Sequence, residues 1–220
     1  VQVLGAINPP VFPASSLEKR YHSFQESGRY TSACSGTIYR IAPKGFKSQI
    51  PEFDLNTTEG QIAALKSPAV NIRHGGFNRL KAQGEKAVPA VAALLEDPNP
   101  FIAARAAWLL AQMGEAGLTK VKPWLTSEDD ARRLTAYRAL RRAGQDVTVL
   151  AAQMAEDKSA AVRREAAILL RDIPAEKSVP ILAKIAQQFD GHDRSYLEAL
   201  GLGSEGKESA VFSALASGFG

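Results

Sequence analysis

Cysteine is almost missing from this sequence: Cys34 is the only one in 220 residues. That excludes an internal disulfide, a C-x-x-C redox pair and a C-x-x-C-H haem attachment within the chain. Aromatic residues make up 7% and are not interleaved with the basic ones, so nucleic acid is not the expected partner. There is no run of about 18 or more apolar residues, and no membrane insertion is expected. The N-terminus lacks the basic, apolar, small-residue order of a signal peptide. Charge of one sign is scarce too. Lys and Arg number 27 against 23 Asp and Glu, a formal net charge of +4 that requires no polyanionic partner. What remains is 45% hydrophobic and 23% charged, an ordinary balance for a chain that buries a core. Ala and Leu dominate its second half, which favours helix over sheet.

The chain divides into three stretches. Residues 1–35 carry Pro9, Pro10 and Pro13 and no periodicity, and read as an irregular N-terminal segment. Residues 36–56 begin with the alternation of Thr37-Ile38-Tyr39-Arg40-Ile41, a short strand ended by Pro43 and Gly45, and continue as a linker. Thr58, with Gln61 three residues later, reads as a capping box that opens the first helix of a domain spanning 57–220.

That domain repeats itself every thirty residues. Ile72, Ile102, Arg132, Val162 and His192 share one phase, and eight residues after each stands Leu80, Leu110, Leu140, Leu170 and Leu200. Twelve residues after each come Gly84, Gly114, Gly144, Pro174 and Ser204, where a helix should end. A preceding helix repeats as Val91, Val121, Ala151 and Ile181, and as Leu95, Leu125, Ala155 and Ile185. The pairs Ser67-Pro68, Asp97-Pro98, Ser127-Glu128 and Asp157-Lys158 read as an N-cap followed by the first residue of the second helix. At 100° per residue, offsets 0, +4, +8 and +11 from the phase origin form the apolar arc. Two helical patterns per thirty residues predict an all-α fold, an α-α superhelix of about five helix pairs. One pair cannot bury its stripe alone, and stacking on the next does so. Because the sequence stops at Gly220, within the fifth or sixth unit, truncation or a following domain that covers the end is expected.

The pattern Ala87-Val-Pro-Ala-Val-Ala-Ala-Leu-Leu, an Asp-containing turn, then Val162-Arg-Arg-Glu-Ala-Ala-Ile-Leu-Leu170 resembles the HEAT repeat family. The resemblance implies a structural ladder in which Arg73, Arg133 and Arg163 hydrogen-bond Asp97, Asp157 or turn carbonyls. Ala103 and Asp193 stand at the same phase and break it in two places. A narrower resemblance rests on Gly36-Thr-Ile-Tyr-Arg-Ile-Ala-Pro-Lys-Gly45, on Phe53-Asp-Leu-Asn-Thr-Thr-Glu-Gly-Gln-Ile62 and on Leu197-Glu-Ala-Leu-Gly-Leu-Gly-Ser-Glu-Gly206. These segments are similar to the HEAT portion of large exported dehydrogenase-like proteins of planctomycetes, which join a sugar-dehydrogenase-type propeller, HEAT repeats and a c-type cytochrome domain. That resemblance implies an extracytoplasmic setting and makes Thr37 to Ile41 the propeller's last strand. The active site and haem motif of such proteins lie outside this chain, so no cofactor and no catalytic residue is assigned.

Chemical motifs are few. Gly201-Leu-Gly203-Ser-Glu-Gly206 matches G-x-G-x-x-G in letters but follows a helical pattern where a dinucleotide site needs a strand. His22, His74 and His192 have no partner at helical spacing. Glu128-Asp129-Asp130 suits a helix start, and Asn56-Thr57-Thr58 matches a glycosylation sequon on residues that capping explains. Arg105, Arg138, Arg141, Arg164 and Arg171 fall on the polar arc of the second helices. They read either as a solvated face with local ion pairs or as a basic stripe for an acidic partner. The chain is therefore expected to be a non-catalytic scaffold whose partner is a protein or an adjacent domain of the same polypeptide. The alternatives are part of a sugar-dehydrogenase-like oxidoreductase with its active site elsewhere, or a polyanion-binding solenoid.

Overall fold

A computed structural model describes residues 2–5, 39–42, 44–45 and 51–217. The chain forms two units, Val1–Glu52 and Phe53–Gly220. In the first, β1 (Gln2–Gly5) pairs antiparallel with β2 (Tyr39–Ala42), with Val3 opposite Ile41 and Leu4 opposite Arg40. Of the strand expected over Thr37 to Ile41, Tyr39–Ile41 fall within β2, and Thr37 and Ile38 lie outside the described residues. Gln2–Gly5, read as irregular, is the ladder partner of β2; four residues that do not alternate are too short to stand out. Cys34, His22 and the proline cluster lie outside the described residues.

The second unit is helical. It comprises α1 (Thr58–Lys66), α2 (Val70–Gln83), α3 (Val88–Ala92), α4 (Pro100–Leu110), α5 (Gly114–Val121), α6 (Asp130–Arg142), α7 (Val147–Met154), α8 (Ala160–Leu169), α9 (Ala175–Ala186), α10 (Arg194–Gly203) and α11 (Glu208–Ala216). Tight 3-10 turns, Gly84–Ala87, Ala93–Glu96 and Lys122–Thr126, lengthen α3 and α5 at their ends. Alternate helices pack on one another, α4 on α6, α6 on α8 and α8 on α10, and α3 on α5, α7 on α9 and α9 on α11, while α1 packs on α2 and also touches α4.

Burial follows the thirty-residue register. Leu80, Leu110, Leu140, Leu170 and Leu200 are all buried, as are Gly76, Ala106, Ala136, Ala166 and Tyr196 four residues after each phase origin. Each such leucine stabilises the fold by roughly 1.5–3 kcal/mol through area removed from water. The arc is turned from the wheel expectation. Of the phase origins Val162 is enclosed, but Ile72, Ile102 and Arg132 are only half-buried, whereas Ala107, Tyr137 and Ala167 at +5 and Leu109 and Ala139 at +7 are enclosed. Helices that touch neighbours on two sides bury a wider face than one stripe.

Termini of the helices correct two expectations. The first helix is capped by Thr57, whose Oγ1 accepts from the Gly60 amide at 3.1 Å, and Gln61 donates to Leu55 O instead of closing a capping box. Ser67, Asp97, Ser127 and Asp157 do not cap the second helices. Each accepts the amide two residues on, at 3.2, 3.0, 3.2 and 2.8 Å, forming a turn that ends the preceding helix. Asn99 and Asp129 then cap α4 and α6 through the Phe101 and Ala131 amides. Asn and Asp side chains bond locally two residues on in either role, so spacing alone could not separate the two. Gly84, Gly114 and Gly144 adopt φ of 60°, 76° and 83°, the left-handed conformation that glycine enters without steric cost.

Candidate functional site

The side chains with chemical capacity gather along the turns that join the two helices within each pair. Arg133, on the first turn of α6, is the clearest. Its Nε and Nη2 donate to the two Asp157 carboxylate oxygens at 2.6 and 2.7 Å, and its Nη1 donates to Ser127 O at 2.7 Å and Glu128 O at 3.0 Å. Both side chains are almost wholly enclosed, with 5% and 6% exposure. Burial acts to raise the Asp157 carboxyl, yet the Arg133 guanidinium and the Ser159 amide hold it below its ordinary value. The hydrogen bond to Asp157 pushes Arg133 up. The bidentate fork also satisfies two turn carbonyls, so nothing in the pair is left without a partner.

The other positions of the proposed ladder are built differently. Arg163 donates through Nη1 to Asp157 O at 2.6 Å and through Nε to Tyr196 Oη at 2.9 Å, with its guanidinium carbon 5.3 Å from the centre of the Tyr196 ring. Gln187 stands thirty residues after Asp157, and the phenol takes the place of the carboxylate as acceptor. Tyr196 Oη in turn donates to Ile185 O at 2.8 Å, and its ring stacks on Phe189. Arg73 reaches only Pro68 O, at 3.5 Å, and Asp97 pairs instead with Lys66 at 2.9 Å. The Asn99 amide and Lys66 hold the Asp97 carboxyl below its ordinary value. The structure therefore brings together Arg133 with Asp157, and Arg163 with the Asp157 carbonyl, but not Arg73 with Asp97.

The five arginines of the polar arc do not form one unpartnered stripe. Arg105 Nη1 lies 3.2, 3.2 and 3.3 Å from the carbonyl oxygens of Leu65, Lys66 and Ser67, closing the end of α1. Desolvation, with the Arg73 charge nearby, lowers its pKa. Arg138 pairs with Glu165 at 2.5 Å, Arg164 with Asp193 at 3.3 Å and Arg171 with Glu205 at 2.5 Å. Arg141, half-buried, makes no ion pair among the described residues. Sequence position could place these residues on a face but not assign their partners, because the acids come from α8 and from the turns on either side of α10.

Lys207 escaped the sequence reading. Its Nζ lies 2.6, 3.0 and 2.7 Å from the carbonyl oxygens of Leu170, Arg171 and Ile173, and 3.1 Å from Ser178 Oγ. It closes the end of α8 as Arg105 closes α1. Tyr196 did carry a signal, being the one bulky residue in the register of Gly76, Ala106, Ala136 and Ala166. Lys207 carried none.

Remaining motifs find structural places. Gly201 and Gly203 lie inside α10, so the glycine motif forms no phosphate loop. Instead, a Cβ on Gly203 would stand 2.3 Å from Ala167 O, and the glycine lets α10 approach α8. Glu128 pairs with Lys158, and Asp130 accepts from Ser159 Oγ at 2.7 Å. His74 contacts Asn78 at 2.9 Å. Among the described residues no group of three or more His, Cys, Asp or Glu is placed to hold a metal ion, and no helix is long and apolar enough to cross a membrane. Searches against protein-family models and against curated proteins return no match for this chain.

Proposed function

We propose that residues 57–220 are a HEAT-like solenoid acting as a non-catalytic scaffold for protein contacts, a spacer within a larger exported redox protein. The observation that carries this reading is the span of the polar bonds. Arg133 reaches 24 residues on, Arg138 27, Arg164 29, Lys158 30 back and Arg163 33 on. Charged groups are thus engaged in tying each helix pair to the next, as a stack of repeats requires. They are not converged on one cleft with a paired acid and base, as acid–base catalysis requires. The larger redox context and extracytoplasmic setting rest on the resemblance of the three quoted segments alone.

Two measurements test the reading. The purified chain, mixed with a dye acceptor and a panel of sugars, should give no turnover; sustained dye reduction above a heat-treated sample would assign it an active site of its own. Binding to a generic DNA duplex at low salt should be weak. A Kd that rises steeply with salt would instead favour the polyanion reading, which the pairing of Arg138, Arg164 and Arg171 with carboxylates argues against.

A further inference from the structure

Four turns spaced thirty residues apart carry the same Asx- or Ser-turn bond, at Ser67, Asp97, Ser127 and Asp157. At three of them a guanidinium meets the outgoing carbonyls. Arg105 serves the first from thirty-eight residues on, while Arg133 and Arg163 serve the third and fourth from six residues on. The turn at Asp97 has neither donor. Position 103, in the register of Arg133 and Arg163, is Ala103, and position 135, in the register of Arg105, is Thr135. Among the described residues no side chain or amide donates to Asp97 O or Pro98 O.

In place of the missing side chains there is a cleft of about 380 Å³, lined among others by Asp97, Pro98, Ala103, Thr135, Glu96 and Trp124. Both small replacements, Ala103 and Thr135, face it. Its charges are Glu96, Asp97 and Asp129 against Arg132, with Lys66 neutralising Asp97 from outside the lining. Arg132 sits over the Trp124 ring at 5.0 Å and pairs with Glu96. The cleft is thus lined by two residues whose carbonyl oxygens accept no bond among the described residues, by an aromatic ring that already carries a guanidinium, by apolar side chains and by one carboxylate, Asp129, that has no ion pair among the described residues.

We propose that this cleft receives an arginine side chain from a partner protein, which supplies in trans the guanidinium that the neighbouring turns hold in cis. Arg133 shows the geometry within the same molecule: one guanidinium nitrogen divides between Ser127 O and Glu128 O at 2.7 and 3.0 Å. A guanidinium suits the site because it is planar, weakly hydrated and donates to several acceptors at once. The partner class rests on the scaffold reading; the cleft and its vacant register do not.

The experiment is a titration of the whole chain, followed by NMR at the Ala103 methyl and the Trp124 indole. The probes are Nα-acetyl-arginine amide and its neutral citrulline isostere. Saturable shifts at both positions with the arginine probe are expected, at least about tenfold tighter than with citrulline, given that one partner of each hydrogen bond is charged. Ala103→Arg should abolish them and raise the melting temperature, since the new side chain reaches the same carbonyls. Should that variant not fold, Thr135→Arg fills the cleft from α6 and should abolish them equally. Absence of saturable shifts, an equal response to citrulline, or binding that survives the filled cleft overturns the proposal while leaving the scaffold reading intact. An arginine at 103 that folds without gaining stability would overturn the proposal as well.

Discussion

Arg133 and Asp157 are enclosed together, so neither can be removed without leaving the other buried and unpaired. Asp157→Asn is expected to destabilise the fold by about 3 kcal/mol, read from urea unfolding at neutral pH. The pair also sets a direction for acid. Because the folded Asp157 carboxyl lies below its ordinary value, its contribution is complete above the unfolded value of about 3.9 and is lost as pH falls through the lower folded value. The gap between the native chain and Asp157→Asn should therefore be constant from pH 8 to about pH 5 and shrink below about pH 4; a gap that widens in acid would contradict the assignment. Two glycines of α10 make a second test at this scale. Gly203→Ala places a Cβ against Ala167 O and should cost about 1–3 kcal/mol by overpacking, whereas Gly201→Ala meets open space and should gain about 0.5–1 kcal/mol of helix propensity. Melting temperatures moving in opposite directions check both.

Helix ends in this protein are closed by basic side chains arriving from the next pair: Arg105 on α1 and Lys207 on α8. The last carbonyls of a helix have no partner within it, and they carry the negative end of its dipole, so a cation there meets both needs. Lys207→Met keeps the aliphatic stem and removes the donors. It should loosen the link between α8 and α9, seen as faster hydrogen exchange of amides at Ile173 and Ser178 with little change at α4. Uniform acceleration across the unit would mean that Lys207 acts on global stability alone. None of this was readable from position, since Lys207 follows α10 in sequence and meets α8 only once α10 has packed against it.

At the scale of the molecule, the thirty-residue register makes a prediction that a globular core would not meet. Deleting residues 115–144 joins Gly114 to Gln145 as Gly144 is joined now, and both glycines are left-handed. The shortened chain should stay helical by circular dichroism and unfold cooperatively, with a urea m-value lowered in proportion to the area removed. A molten or aggregated product would count against a stack of equivalent pairs. By itself, the sequence determined the helical class, the period and the leucines that line the interior, because the leucines eight residues after each phase origin recur in one register and local periodicity suffices to find them. The turn residues were legible as turn residues but were assigned to the wrong helix, since an Asp or Ser oxygen two residues from an amide looks the same at either end. The partner of each charge was decided only by the tertiary structure. Apart from Lys122–Glu115 and Arg194–Glu198, the ion pairs join segments 24 to 36 residues apart, and whether Arg163 finds a carboxylate or a tyrosine depends on which side chain packing carries to it. The vacancy beside Asp97 belongs to the same class. Ala103 was visible as a departure from the register, but that Thr135 departs with it, and that both face one cleft, follows from how α4 and α6 pack.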